Sequence, residues 1–380
     1  MCQKDPNTLY ITPGTRTVDW YKICQQCRGF NLWEWSIYSI NLPDSVIDIG
    51  PEAFRFCFYL KNVEMSNSIQ RIGCRAFWHC ECLRIIYLPN SLKWINSEAF
   101  RDCTDLVDIT IPNSVTRIDN AVFSGCKSLT SITIPDSVVY MGSSLFAYCR
   151  ALTNVSLNNH LTVIPKRTFF SCNSLANVVI PNSVTTIGDF AFYSCLMLTR
   201  INIPNTVTSI GAYAFWSCRS LSHIKISKSV SNIGIHAFSF CSSIRSICVE
   251  KENEFYDARE DCNALIHTAT NTLIRGCSAT IIPNSVTCIG EGAFSGCDKI
   301  KSIAIPNSVM KIKDVAFKGC MGLKKIFIPS SITEVGKDVF VGCQQLKEIF
   351  VPIGSKRRFT GLLPSINGNI IIELPNLNNH

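Results

Sequence analysis

The sequence predicts a β-rich solenoid. Coils of 23 residues stack in register, with short parallel strands on a concave face and turns or short 3-10 or extended segments on a convex face. Three observations predict it. Phenylalanine recurs with one period at Phe54, Phe77, Phe100, Phe123, Phe146, Phe169, Phe192, Phe215 and Phe238, and again at Phe294, Phe317 and Phe340. A cysteine follows each by three places: Cys57, Cys80, Cys103, Cys126, Cys149, Cys172, Cys195, Cys218, Cys241, Cys297, Cys320 and Cys343. Hydrophobic residues make up 47% of the 380 and charged residues only 17%, which excludes a disordered chain. A fixed period of this size marks a stacked repeat array and overrides the several domains that length alone suggests.

Each coil reads in the same order. In the stretch from 198 to 215 the apolar columns are Leu198, Ile201 and Ile203, then Val207, Ile210, Ala214 and Phe215. The alternation around Ile201 and Ile203 is that of a short strand with both side chains inward. Pro204 ends the strand, because proline has no N–H for a ladder. Gly211 marks a second turn, and AYAFWSC is too short for an independent helix, so a tight turn is expected there. A single coil cannot bury its apolar positions; stacked coils do, each column over its neighbour at the strand spacing of about 4.8 Å.

The cysteine column has a packing role first. The chain has 21 cysteines, and free cysteine behaves as a small buried apolar group. Stacked parallel cysteines sit farther apart than disulfide geometry requires, so buried reduced thiols are expected. A serine column, among it Ser68, Ser91, Ser114, Ser137, Ser183, Ser285, Ser308 and Ser331, is placed to satisfy backbone groups at the turn after the strand.

The phrases IPNSVTTIGDFAFYSC (180–195), IPNTVTSIGAYAFWSC (203–218) and IPNSVTCIGEGAFSGC (282–297) carry a family resemblance. The pattern resembles the BspA-like class of bacterial leucine-rich repeats over residues 42–352. Some coils drift: Ser66, Asn158 and Ser227 replace the proline, and Asn96, Asp119 and Lys313 replace the glycine. The resemblance implies a leucine-rich-repeat solenoid, and adhesion to host or extracellular proteins, or contact between cells, by a surface-associated bacterial protein.

The division expected is an N-terminal cap at 1–36, a repeat array at 37–249, a longer inserted coil at 250–282, more array at 283–352, and a C-terminal cap and tail at 353–380. Columns are expected from Ile37, Ile40 and Leu42 onward, behind an aromatic-rich start. In the insertion, NALIH and NTLIR suggest a hairpin leaning out of the solenoid. Cys262 and Cys277 flank it as either a bridge or two free thiols. INGNIIIEL (366–374) suggests a final cap strand.

Motifs of catalysis are missing. There is no G-x-S-x-G, H-E-x-x-H, Walker or Rossmann signature, and the six histidines scatter over different coils. Cys24-x-x-Cys27 has half the spacing of a zinc site, with no second pair at a typical distance. No catalytic residue, metal or cofactor is therefore assigned, and the expected class is non-enzymatic. No run of 18 apolar residues suggests a transmembrane helix. The opening MCQKDPNTLYITPG does not read as a signal peptide.

Recognition is expected on outward strand positions. In the middle coils these are small and polar (Asp108, Thr110, Ser131, Thr133, Asn154, Ser156), and later they become basic and aromatic. Arginine and aromatic residues are enriched where interfaces concentrate energy. The binding candidates are accordingly Tyr87, Arg200, Asn202, His223, Lys225, Lys325, Phe327 and Phe350. From 298 to 358 there are 12 Lys+Arg against 5 Asp+Glu, which gives that end most of the net charge of +8. A lysine patch steers acidic partners or simply keeps an array soluble. A second aromatic set, with Phe56, Trp78, His79, Phe170, Tyr193, Trp216 and Phe240, reads as packing between coils.

The reading is a monomeric protein- or glycan-binding repeat protein, with no nucleic-acid module. Cell-surface or extracellular location follows from the resemblance; cytoplasmic location is the alternative. The rival functions are an intracellular scaffold recruiting a protein partner and an accessory binding module of an enzyme system.

Overall fold

The computed structural model describes residues 7–19 and 37–375. It forms two compact units, Met1–Met197 and Leu198–His380. Each is a parallel β-solenoid with coils of about 23 residues.

In the first unit most described coils contribute a three-residue strand and a two-residue strand. The longer ones pair in parallel with a shift of one period: Ser39–Asn41 with Asn62–Glu64, Ile85–Tyr87 with Asp108–Thr110, and Ser131–Thr133 with Asn154–Ser156. Most bury the central residue and leave the flanking two outward. The short strands, from Thr17–Val18 to Tyr140–Met141, form a six-stranded ladder of their own.

Between the short strand and the cysteine runs a turn that is neither α nor 3-10 helix. Two of its residues, four apart, take left-handed φ: Arg75 (56°) and His79 (59°), then Glu98 (59°) and Asp102 (57°). This conformation directs alternate N–H groups at the next coil: Arg75 donates to Ser97, Phe77 to Ala99, and His79 to Arg101, at 2.8–3.0 Å. The turn thus stacks as a ladder, and the phenylalanine at its centre points inward.

Those phenylalanines form a buried stack within each unit. In the first unit successive rings from Phe54 to Phe192 lie 5.2–5.9 Å apart. In the second unit Phe215–Phe238, Phe294–Phe317 and Phe317–Phe340 repeat the arrangement at 5.0–5.6 Å. The cysteines are free thiols beside this stack. Most donate to the phenylalanine carbonyl of the preceding coil, as in Cys80 to Phe54, Cys149 to Phe123 and Cys320 to Phe294, at 3.0–3.2 Å, whereas Cys297, after the insertion, donates to Gly276 at 3.5 Å. The serine column bonds as its position suggests at Ser91, Ser114, Ser137, Ser183 and Ser331, each donating to a carbonyl of the coil before. Ser285 and Ser308 are exceptions and find no partner. Where proline is replaced, Asn158 and Ser227 donate to the carbonyls of Val138 and Pro204.

Four expectations change. The columns begin before residue 37: Leu9 and Ile11 are buried, and Thr8–Tyr10 pairs in register with Ser39–Asn41. The spacing there is 31 residues rather than 23, which hides the coil from a fixed period. Segments 177–180 and 200–203 keep the in–out alternation without ladder hydrogen bonds. The inserted hairpin forms, Leu265–His267 against Thr272–Arg275, but it does not lean out. Leu265, Ile266 and Leu273 are fully buried, and Thr272 and Leu273 pair in parallel with Cys288 and Ile289, so the hairpin takes a coil's place in the core. Lastly, a helix at Lys356–Leu362, which no periodic signal marks, buries Phe359 ahead of the parallel cap strand Ile371–Leu374. Cys262 and Cys277 are both free and buried. Cys24 and Cys27 lie outside the described residues.

Candidate binding surface

The outward face of the three-residue strands is the surface the fold leaves open. In the first unit it forms a groove of about 820 Å³, lined by Asp108, Thr110, Ser131, Thr133, Asn154, Ser156 and Asn177. Parallel pairing in register sets Ser131 beside Asn154 and Thr133 beside Ser156, and Asp108 and Thr110, one period earlier, line the same groove. Rows of hydroxyl and amide groups offer donors and acceptors at strand spacing, with side chains too short to fold back on one another. The groove's flanks are apolar. Tyr87, which pairs with Thr110, is 79% exposed, and Val179 at the far side is 80% exposed.

Several outward residues of the second unit are engaged with neighbours. Lys225 bonds Glu250 at 2.9 Å, a partner supplied by the inserted segment. That bond holds the Glu250 carboxyl below its usual range and raises the Lys225 ammonium. His223 Nδ1 lies 2.7 Å from the Ser222 hydroxyl. Phe327 and Phe350 stack at 4.8 Å, half-buried, with the Lys325 ammonium 5.8 Å above the Phe327 ring. Arg200 and Asn202 are exposed on a segment without ladder bonds. Of the eight candidates, the structure thus brings together Lys325, Phe327 and Phe350, sets Tyr87 beside the groove, and places Lys225 in an ion pair. The residues lining the groove were legible as outward and polar; only their adjacency over four coils makes them a surface.

The second aromatic set packs between coils. Arg55 lies 4.3 Å over Phe56 and 4.7 Å over Trp78, and Phe170 stacks on Tyr193 at 4.6 Å. Trp78 Nε1 donates to Asp102, whose other neighbours include the Arg101 guanidinium. No group of three His, Cys, Asp or Glu able to hold a metal occurs among the described residues. No described helix is long and apolar enough to cross a membrane.

Comparison with known proteins gives one consistent result. The BspA type leucine rich repeat region matches residues 30–153, 139–262 and 275–359. A leucine-rich repeat protein from Bacteroides ovatus is similar at 28% identity and a TM-score of 0.68, over 97% of this chain and 92% of that one. One from Eubacterium ventriosum is similar in fold at 21% identity and 0.56, over 89% and 91%. A leucine rich cell surface protein from Faecalibacterium prausnitzii shares 25% identity over 86% and 90%, at 0.47. Among curated proteins, none matches the chain.

Proposed function

Because the chain belongs to the BspA-type leucine-rich-repeat family, we propose that it is a non-enzymatic binding protein that takes a protein or glycan ligand on its strand face, in adhesion at a cell surface. One observation carries the reading: the open groove of the first unit, polar along its floor and flanked by Tyr87 and Val179. An exposed aromatic ring beside rows of short hydroxyl and amide side chains suits a ligand that hydrogen-bonds widely and stacks once. It also suits a protein loop anchored on Tyr87, since tyrosine is enriched among residues that carry interface energy. The test is binding by the purified chain to a glycan array and to a panel of extracellular matrix proteins, repeated with Thr133→Arg. Binding lost in the variant supports the reading; binding that ignores the variant removes the groove from it.

A second reading has its own support. The described cysteines are free thiols, as is usual for chains kept in a reducing compartment. That favours an intracellular scaffold. Surface labelling of intact producing cells with an antibody to the chain separates the two readings, since a scaffold stays unlabelled until the cells are opened.

A further inference from the structure

The stack is interrupted once within the second unit, and the interruption strands hydrogen-bond donors. In an ordinary turn three alternate N–H groups donate to the next coil: Tyr213 to Ile235, Phe215 to Ala237 and Ser217 to Ser239. One coil on, those places belong to His236, Phe238 and Phe240. The coil that follows is the inserted hairpin, which has no such turn. Phe240 reaches past it to the Ser295 carbonyl at 3.0 Å, but the N–H groups of His236 and Phe238 donate to no backbone carbonyl among the described residues.

The hairpin's end fills part of the gap. Gly276 donates to Ala293 at 2.9 Å, and a Cβ on Gly276 would lie 2.2 Å from the Phe294 ring, so only glycine fits. Arg275 beside it is 2% exposed. Its Nη1 donates to the Ser295 carbonyl at 2.9 Å, while Nε and Nη2 have no partner. A guanidinium stays charged even when buried, and an uncompensated buried charge costs several kcal/mol. No described carboxylate pairs with it. Of the nearby thiols, burial pushes Cys297 up to about 11 despite Arg275; burial works to raise Cys241 too, but its hydrogen bond with Cys218 and the Arg275 charge bring it below the ordinary thiol value, and its Sγ lies 3.0 Å from the Phe215 carbonyl as a donor.

A cavity of about 110 Å³ lies at this break, lined among others by His236, Phe238, Ser239, Arg275 and Glu291. We propose that it is a binding site for a small inorganic anion of the phosphate, sulfate or chloride class, held by Arg275 and the free N–H groups of His236 and Phe238. Successive N–H groups in alternating right- and left-handed conformation form an anion-binding concavity, and His236 has φ 56°. The volume equals a few water molecules, too small for a sugar or nucleotide. The Glu291 carboxylate, 3.1 Å from His236 Nε2, opposes the anion from the exposed side. The site is separate from the strand-face groove and does not depend on the proposed function.

Isothermal titration of the intact chain with potassium phosphate, sodium sulfate and sodium chloride, at matched ionic strength, tests this. Wild type should show one saturable site for at least one anion. Glu291→Gln should tighten it several-fold, and Arg275→Met should abolish it. Absence of saturable binding for all three anions overturns the proposal, as does an affinity that Glu291→Gln leaves unchanged. Because Glu291 is exposed, that variant keeps the test decisive even where Arg275→Met fails to fold. A folded Arg275→Met with wild-type affinity also overturns it.

Discussion

Cys126 donates its thiol hydrogen to the carbonyl oxygen of Phe100, 3.2 Å away in the preceding coil. The same relation recurs in other coils, from Cys80 with Phe54 to Cys343 with Phe317, and is broken at Cys297, whose partner is Gly276. It explains why the two columns keep a fixed offset: the thiol fills the space beside the ring stack and is a second donor to a carbonyl that already accepts from its own turn, as Phe100 does from the Cys103 N–H at 3.3 Å. Cys126→Ala should destabilise the chain by roughly 1–3 kcal/mol through the lost packing beside the ring stack and the lost thiol hydrogen bond. Cys126→Ser, which keeps a donor, should cost less than the alanine change. Urea unfolding of the three proteins checks the order.

The same burial sets a pH dependence. Cys126 and Cys172 are raised well above the ordinary thiol value of 9.0, chiefly by desolvation. In the unfolded chain these thiols ionise near that value; in the folded chain they stay protonated. The unfolded state therefore releases protons first as pH rises, so stability is intact below about pH 8.5 and falls above it. Urea midpoints from pH 7 to pH 10 should decline over the upper half of that range. Cys126→Ala should show a shallower decline.

Phe123 lies between Phe100 and Phe146, 5.9 Å from each ring centre, and is fully buried. Phe123→Ala should cost about 3–5 kcal/mol, the usual range for an aromatic removed from a core. Thermal unfolding followed by circular dichroism reads the loss. Phe123→Leu, which keeps much of the volume, should lie between the two.

Asn271 closes the inserted hairpin with φ 47° and accepts from Arg259 Nη1 at 2.8 Å. Asn271→Gly should lose only that hydrogen bond, because glycine takes left-handed φ without penalty. Asn271→Val should cost at least 1 kcal/mol more, roughly the price of left-handed backbone at a branched residue. Denaturant midpoints of the two variants give the difference.

The period of 23 exposed the core because one position seen many times can have only one environment. Phe54 and Cys57 announced theirs before any coordinate. What the period could not show is where it fails. Leu9 lies 31 residues before its partner Ile40, and Arg275 stands where the pattern offers no column. The first is hidden by spacing. The second is hidden because a lone arginine in an insertion reads as solvent-exposed until neighbouring coils close over it. Lys225 also looked free, and its partner Glu250 lies beyond the next strand, at a distance in sequence that no local rule connects. The groove from Asp108 to Asn177 was readable as polar positions, and its volume came only from stacking.

The outward face should tolerate change where the core does not. Thr133 is exposed in the middle of the groove, so Thr133→Arg should shift stability by no more than about 0.5 kcal/mol. Its side chain would lie across the rows of Ser131 and Asn154. The most direct measurement is therefore a side-by-side glycan and matrix-protein binding screen with wild type and Thr133→Arg at equal melting temperature. The groove reading predicts a ligand held by the wild type and released by the variant. A ligand bound equally by both would contradict it.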